Sequence, residues 1–386
     1  MIDLDANAST RLLPEVLEAM LPWLADGHAN PSASYRAAKT ARAAIDLARQ
    51  QVADLIGAHP EEILFTGGGT ESVNTALHSL DRACGPGVAL ASSIEHSAVL
   101  RCLESLSRPH RLIPVERDGR IDPNQARPLL DGAAFVSVMA ANNETGVIQP
   151  LRELIELAHA LRLPVHSDAI QAIGKMPFDV VEFPAELISI SAHKFHGPKG
   201  VGALYIRRGI AFHALLHGGG QEAGRRSGTE NTAAIVGMGM AAELAKQALA
   251  SGQAQRLATL RDHFEAKVMT GIEGVRANGN AAHRLPNTCH LSFEGCDAAG
   301  LLILLDQAQI QCSAGSACMT GKQKPSHVQL AMGIDERTAK SSLRFSFSRF
   351  NADADASHAA DAVIQSVRKL RSVQGPGVGP VSVYGG

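Results

Sequence analysis

Short runs of consecutive apolar residues alternate with longer segments of helical spacing through the first two thirds of the chain. The apolar runs predict buried strands at residues 63–66, 88–92, 135–140, 165–167, 187–190 and 201–206. Helical spacing predicts helices that open at Pro14, cover 34–56, begin within 67–72, cover 151–161 and begin at Thr232. Strands without polar alternation, separated by helices, are typical of an α/β fold with a mainly parallel sheet flanked by helices.

The pattern changes near residues 251–255, where the helical spacing weakens. Beyond that point the chain predicts short strands at 275–277, 290–293 and 343–347, and helices at 301–307 and 356–370. These elements indicate a smaller α+β domain at the C-terminus. A chain of 386 residues also suits two or three domains. We therefore predict a large domain of residues 11–250 and a small domain of residues 1–10 and 251–386.

Composition narrows the possible classes of protein. Hydrophobic residues make up 45% of the chain and charged residues 19%, so a large core is available and disorder is not expected. A net charge of -2 gives no reason to expect nucleic acid or an anionic membrane as a partner. The acidic start M-I-D-L-D-A-N is unlike a signal peptide, and the six cysteines are scattered. This combination predicts a cytoplasmic protein with reduced thiols.

Polar side chains follow the ends of several predicted strands. They are Thr70, His96, Asn143, Asp168 and Lys194. Because ligands bind at the carboxyl ends of the strands in parallel sheets, these side chains are expected to converge on one site.

The stretch L-I-S-I-S-A-H-K-F-H-G-P-K-G-V-G places Lys194 directly after a core strand. Apolar surroundings favour the neutral amine that a Schiff base requires, although a loop lysine that reaches into water fits the same pattern. The glycines 67–69 stand between a strand and a helix N-terminus, where bare backbone N–H groups attract a phosphate. A glycine turn without a ligand is the alternative there.

Seven motifs, in this order, resemble those of the cysteine desulfurases: G-G-G-T-E-S, E-H-S-A-V, N-N-E-T-G, S-D-A-I-Q, S-A-H-K, R-R-S-G-T-E-N and G-S-A-C. That family belongs to the class V aminotransferase branch of the fold type I pyridoxal phosphate enzymes. The resemblance covers nearly the whole chain. The long segment after G-S-A-C is similar to the nitrogen-fixation and housekeeping group. The resemblance implies a large domain that binds pyridoxal 5'-phosphate and a small domain that carries a catalytic cysteine.

The resemblance assigns Lys194 to the Schiff base with the cofactor and Asp168 to the pyridine nitrogen. It assigns Gln171 to the phenolic oxygen of the cofactor, and His96 to the ring face and to proton transfer, although an ordinary loop histidine is the alternative for His96. The phosphate ligands that it implies are Thr70, Ser191, His193 and, from the partner subunit of a homodimer, Thr229. The residues that it places at the substrate carboxylate or beside it are Asn7, Asn143 and Arg344.

The same resemblance makes Cys318 the nucleophile that accepts sulfur. A small buried hydrophobe is the alternative for a cysteine, and it suits Cys84, Cys102, Cys289 and Cys296 better than a Gly-Ser-Ala segment. Cys312 lies near Cys318, but their spacing is not that of a zinc site. His193 and His196 have no neighbouring thiol or carboxylate in sequence, so no metal centre is predicted.

The expected activity is conversion of L-cysteine to L-alanine, with a persulfide on Cys318. The resemblance implies that the sulfur passes to an acceptor protein such as an iron–sulfur scaffold. The chain lacks the longer tail of housekeeping members, which leaves the acceptor open. A selenocysteine lyase or another class V aminotransferase is the alternative enzyme. A non-catalytic partner is a third possibility, against which the set of Lys194, Asp168 and His96 argues.

Overall fold

The computed structural model describes residues 1–314 and 325–374. The strands of this part of the chain are β1 (Ile2–Asp3), β2 (Ile63–Thr66), β3 (Val88–Ser92), β4 (His110–Ile113), β5 (Ala133–Ser137), β6 (Val165–Asp168), β7 (Leu187–Ser191), β8 (Gly202–Ile206), β9 (Val275–Ala277), β10 (Thr288–Phe293), β11 (Ile310–Gln311), β12 (Ser313–Ala314) and β13 (Ser342–Ser346). All nine predicted strands are present, with ends shifted by at most a few residues.

The α-helices are α1 (Pro14–Ala25), α2 (Arg36–Leu55), α3 (Gly69–Ala83), α4 (Ser97–Ser105), α5 (Pro123–Ala126), α6 (Leu151–Ala160), α7 (Thr232–Ala250), α8 (Gln253–Gly271), α9 (Ala298–Gln307), α10 (His327–Ala331), α11 (Glu336–Ala339) and α12 (Asp353–Gln374). A short 3-10 helix, Ala192–Lys194, follows β7. Within residues 1–314 and 325–374, no helix has the length and apolar composition needed to cross a membrane.

A seven-stranded sheet forms the centre of the molecule, in the order β2-β8-β7-β6-β5-β3-β4. Only β8 runs against the other strands of this sheet, so the predicted mainly parallel sheet is confirmed. Successive residues of a strand enter different cores: Leu64 packs with α3 and α4, whereas Phe65 packs with α2 and α7. Burial on both faces explains why the strands are apolar throughout.

A second sheet, β12-β13-β10-β9, is antiparallel throughout, and β1 pairs in parallel with β11. A separate core covers it, in which Phe264 lies against Phe345 with ring centroids 4.8 Å apart. Leu4 is buried in the same core, so the first residues of the chain pack with the last strands. The division into domains at residues 10 and 250 stays a prediction.

Several elements were not predicted from the sequence, among them helix α8 and strand β4. Helix α8 follows α7 after a turn at Gly252, whose φ of +81° is a left-handed conformation that glycine adopts without strain. The weak pattern at residues 251–255 therefore marks a turn between two helices. Strand β4 was missed because its first three side chains are exposed at the sheet edge, which leaves no apolar run.

Candidate active site

A cavity of about 650 Å³ lies at the carboxyl ends of the central strands, between the two sheets. It is lined by residues that follow β2, β3, β5, β6 and β7, together with the N-terminal segment, β12 and β13. The predicted site residues that the structure brings together there are Asn7, Thr70, His96, Asn143, Asp168, Gln171, Ser191, His193, Lys194 and Arg344. The structure therefore brings together all five residues that were expected to converge from the strand ends: Thr70, His96, Asn143, Asp168 and Lys194.

Lys194 ends the short helix after β7 and is held by backbone oxygens of the N-terminal segment. Its Nζ donates hydrogen bonds to the carbonyl oxygens of Asn7 and Ala8, each at 2.8 Å. Burial, reinforced by the charge of Arg344, lowers the pKa of Lys194 to about 8. A substantial share of this amine is therefore neutral near neutral pH, as a carbonyl-attacking amine requires.

Asp168 is the last residue of β6 and is buried beside the cavity. Burial raises the pKa of its carboxyl group, while the backbone N–H of Ile170 and the nearby His96 and Lys194 oppose that effect. The Ile170 N–H donates to Asp168 Oδ1 at 3.0 Å, which fixes the carboxylate plane. Such a carboxylate stabilises a protonated ring nitrogen placed against it.

His96 caps the N-terminus of α4 with its side chain. The backbone N–H of Ala98 donates to His96 Nδ1 at 3.1 Å, so the neutral ring carries its proton on Nε2. Burial lowers the pKa of His96, and the charge of Asp168 counteracts this. The ring is therefore a neutral N–H donor that can take up a second proton only after that capping contact is broken.

The N-terminus of α3 forms a narrow cradle at one end of the cavity. No side chain caps this helix, so the first backbone N–H groups stay available to a ligand. A Cβ on Gly69 would lie 2.4 Å from Cδ1 of Ile170, so a larger residue there would require the Ile170 side chain to shift. Thr70, Ser191 and His193 line the cavity together with Gly69. Burial lowers the pKa of His193 to about 4, so this ring is neutral. Backbone donors at a helix N-terminus bind phosphate.

Arg344 lies on β13, and its guanidinium is nearly buried. Its Nη1 donates to the carbonyl oxygen of Asn143 at 2.9 Å, and its Nη2 donates to Asp5 Oδ1 at 2.7 Å. Its Nε is buried without a hydrogen-bond partner among the described residues. A guanidinium fork with a free donor is suited to a carboxylate ligand.

Four residues near the cavity were not singled out from the sequence: Lys175, Glu95, Glu144 and His327. Burial raises the pKa of Glu144 to about 7, and its Oε2 accepts a hydrogen bond from Ser326 Oγ at 2.6 Å. His327 Nε2 donates to the carbonyl oxygen of Glu95 at 2.9 Å. The motifs E-H-S-A-V and N-N-E-T-G contain both glutamates, but only their neighbours were assigned roles.

The matches to known proteins agree with this geometry. Residues 2–358 match the family Aminotransferase class-V. The chain belongs to this family. A protein of Sinorhizobium fredii named cysteine desulfurase is 44% identical over 377 residues, which cover 96% of this chain and 97% of that one.

Two solved structures are similar to this protein along most of its length. A NifS-like protein has a TM-score of 0.89 and 34% identity, and the match covers 96% of this chain and all of the other. A structure of SspA in complex with cysteine has a TM-score of 0.78 and 32% identity, and the match covers 91% and 100%. The predicted fold type I class is confirmed by these matches.

Class V aminotransferases and cysteine desulfurases depend on pyridoxal 5'-phosphate, and the cavity fits this cofactor. The N-terminus of α3 suits the phosphate, because no side chain caps its first backbone N–H groups. The buried carboxylate of Asp168 suits the ring nitrogen. The amine of Lys194 suits the aldehyde. The cavity thus has a matching group for the phosphate, the ring nitrogen and the aldehyde of the cofactor.

Two predicted site residues are not among the described residues that line the cavity. Cys318 lies outside the described residues. Thr229 is described, but its side chain is exposed and does not line this cavity. Its role toward a partner subunit stays a prediction.

The other cysteines have features of inert thiols. Burial raises the pKa of Cys102 to about 11 and of Cys312 to about 12. The described part of the chain has no group of three or more His, Cys, Asp or Glu placed to hold a metal ion. The predicted absence of a metal centre itself stays a prediction.

Proposed function

We propose that this protein is a pyridoxal phosphate-dependent cysteine desulfurase that releases L-alanine from L-cysteine and retains the sulfur. The observation that carries the proposal is one cavity that joins Lys194, Asp168 and His96 to the guanidinium of Arg344. An amino acid has an amine and a carboxylate, and this cavity offers a group for each. Relatives named cysteine desulfurase support the choice of substrate.

Arg344 and Asn143 bind the substrate carboxylate, and Asn7 supports them from the N-terminal segment. Arg344 is already oriented by the Asn143 carbonyl oxygen and by Asp5. An oriented guanidinium binds a carboxylate through two parallel hydrogen bonds. This contact places Cα of the substrate within the cavity shared with Lys194.

Lys194 and His96 move the protons of the reaction. Bound pyridoxal phosphate supplies an electron sink that acidifies the Cα hydrogen of the substrate. Lys194 Nζ accepts that proton, because a pKa of about 8 lets the amine take up and return a proton near neutral pH. His96 Nε2 carries a proton toward the cavity and serves as a second donor.

Cys318 receives the sulfur. Its thiolate forms a bond to Sγ of the substrate while the Cβ–Sγ bond breaks, and the electron pair of the broken bond remains with the substrate. A proton on Cβ then completes alanine, and the transferred sulfur stays on Cys318 as a persulfide. Ser313 and Ala314 precede the segment that holds Cys318, and His327 follows it; all three line the cavity, which supports this assignment.

We further propose a cytoplasmic homodimer that passes its sulfur to an acceptor such as an iron–sulfur scaffold protein. In such a dimer Thr229 reaches the phosphate site of the partner subunit. The exposure of Thr229 at the surface of its own chain supports this role. The other residues proposed to bind the phosphate, Thr70, Ser191 and His193, belong to the same subunit as the cavity.

The test is Cys318→Ser, with Cys312→Ser as the matched control because its thiol is buried and outside the proposed chemistry. With ³⁵S-cysteine, the wild type and the control should retain label on the protein after gel filtration. The Cys318 variant should retain none, and desulfuration should fall by at least about a hundredfold. It should still bind the cofactor and change its visible spectrum with L-cysteine.

Full alanine production by the Cys318 variant would contradict the proposal and indicate another class V lyase or aminotransferase. Activity with selenocysteine distinguishes a cysteine desulfurase from the remaining alternative, a selenocysteine lyase. A selenolate is the better leaving group, so a selenocysteine lyase would keep its activity without the thiol. Loss of cysteine turnover in the variant supports the desulfurase even if selenocysteine is still consumed.

A further inference from the structure

Lys175 is a buried lysine beneath the cavity, with 7% of its surface exposed. The turn at Gly174 brings it there: that residue has a φ of +81°, and a Cβ on it would lie 2.5 Å from the Phe195 Cβ. Lys175 forms no ion pair with a carboxylate of the described residues. A lysine in this position requires an explanation, because burying an unpaired charge is costly.

Lys175 donates two hydrogen bonds to the described residues, which equals the number of N–H groups in a neutral amine. Its Nζ donates to Asn7 Oδ1 at 2.8 Å and to Gln171 Oε1. A neutral amine has two N–H groups, and these two oxygens accept both. Burial, together with the charges of Lys194 and Arg344, holds the pKa of Lys175 well below its ordinary range.

These contacts have different consequences for the two amides. Asn7 Oδ1 also accepts from Asn287 Nδ2 at 3.0 Å, so it keeps a partner if Lys175 is replaced. Gln171 Oε1 has no partner except Lys175 within residues 1–314 and 325–374. With its oxygen held by Lys175, Gln171 Nε2 donates one N–H to the Asn7 carbonyl oxygen at 3.0 Å. The second N–H remains for the cavity, which Gln171 lines.

We propose that Lys175 is a positioning residue that acts through Gln171. Its two N–H groups hold the oxygen of the Gln171 amide away from the cavity, so that the amide presents a donor to the phenolic oxygen of pyridoxal phosphate. An unheld amide is free to rotate, and in the rotated orientation its oxygen would face an anionic group, which is repulsive. The inference rests on the proposed function in that the cofactor occupies this cavity.

The experiment compares Lys175→Met, Gln171→Leu and the double variant, each loaded with cofactor. Lys246→Met is the control, because Lys246 is exposed on α7. The first measurement is the pH dependence of the visible spectrum of the bound cofactor, without substrate. We expect the spectral transition of Lys175→Met to shift by about one pH unit, because the donor to the phenolic oxygen is lost. Gln171→Leu should shift it in the same direction.

Steady-state kinetics with L-cysteine provide the second measurement. Lys175→Met should lower kcat by about tenfold and change KM by less than about twofold, since Arg344 and Asn143 are untouched. The double variant should be no worse than Gln171→Leu, because one residue acts through the other. Independent, multiplying effects in the double variant would overturn the proposal, and so would a wild-type spectral transition in Lys175→Met.

Lys175→Gln decides the matter if the Met variant does not fold. Its amide supplies N–H donors without a positive charge, so the spectral transition should stay close to that of the wild type. A shift of about one unit in this variant would show that the charge, and not the donor, is what matters. Wild-type turnover is measured in parallel: a wild type that does not desulfurate cysteine refutes the proposed function, while the spectral comparison still tests Lys175.

Discussion

The low pKa of Lys194 sets the rate at which the empty enzyme should take up its cofactor. The amine reacts only when neutral, and the neutral fraction at a given pH is 1/(1 + 10^(pKa − pH)). With a pKa of about 8, that fraction is about a quarter near pH 7.5. With the ordinary value of 10.5 it would be about one in a thousand. The structure therefore gives Lys194 a roughly two-hundredfold larger reactive fraction.

The assay is stopped-flow mixing of cofactor-free protein with excess pyridoxal phosphate, followed by visible absorbance over a range of pH. We expect the rate to rise with pH and to level off above about pH 8. Two variants test the cause. Arg344→Gln removes a positive charge that lowers the pKa, so the inflection should move to higher pH. Asp168→Asn removes a negative charge that raises the pKa, so the inflection should move to lower pH.

Ionisation of free pyridoxal phosphate is common to all the proteins and cancels when their inflections are compared. Arg276→Gln is the matched control, since this exposed arginine on β9 lies outside the cavity and should leave the inflection unchanged. An inflection near pH 10 in the wild type would refute the argument from burial. Shifts of Arg344→Gln and Asp168→Asn in the same direction would refute the argument from neighbouring charges.

Three further expectations follow from the site. Arg344→Lys keeps the charge but loses the fork, so KM for L-cysteine should rise by about tenfold in steady-state assays; an unchanged KM would place the carboxylate elsewhere. Glu144 has its folded pKa raised from 4.5 to about 7, so its contribution to stability is full below about pH 4.5 and lost as the pH rises to 7. Glu144→Gln should therefore be more stable than the wild type at pH 8, by up to about 3 kcal/mol in denaturant titrations, and equal stability at that pH would contradict the burial argument. Mixing inactive Lys194→Ala with inactive Thr229→Ala should restore activity after subunit exchange, since one site of each mixed dimer has neither defect; no recovery would count against shared sites.

The central sheet and the site residues at its strand ends could be predicted because their sequence signals are local. Each apolar strand leads into its polar residue, since Asp168 is the last residue of β6 and Lys194 lies three residues beyond the end of β7. The carboxyl ends of parallel strands meet at one edge, so position in sequence translates into position in space. Assigning chemistry to His96 and Arg344, however, depended on the family resemblance.

The remaining contacts could not be predicted because they join distant parts of the chain. Asn7 Nδ2 donates to Thr288 Oγ1 at 2.9 Å across 281 positions. Lys175 follows a glycine in the stretch A-I-G-K-M-P, and nothing in that stretch shows that its amine contacts Gln171. Helix α8 did have a usable signal, since Leu257, Leu260, Phe264 and Val268 repeat at helical spacing.

The N-terminal segment connects substrate binding to the cofactor lysine. Ser346 on β13 donates its backbone N–H to the Leu4 carbonyl oxygen at 2.6 Å, and its hydroxyl accepts from the Asn7 N–H at 2.9 Å. Arg344 lies two residues away on the same strand, so the segment and the guanidinium belong to one packed unit.

The acceptors of Lys194 within that segment are backbone carbonyl oxygens, which no side-chain substitution at residues 7 or 8 removes. Any displacement of β13 therefore moves both the carboxylate-binding group and the two oxygens that hold the reactive amine. Geometry at the two ends of the substrate is consequently set by one element. This arrangement explains why residues from both ends of the chain are needed to complete a site whose floor comes from the central sheet.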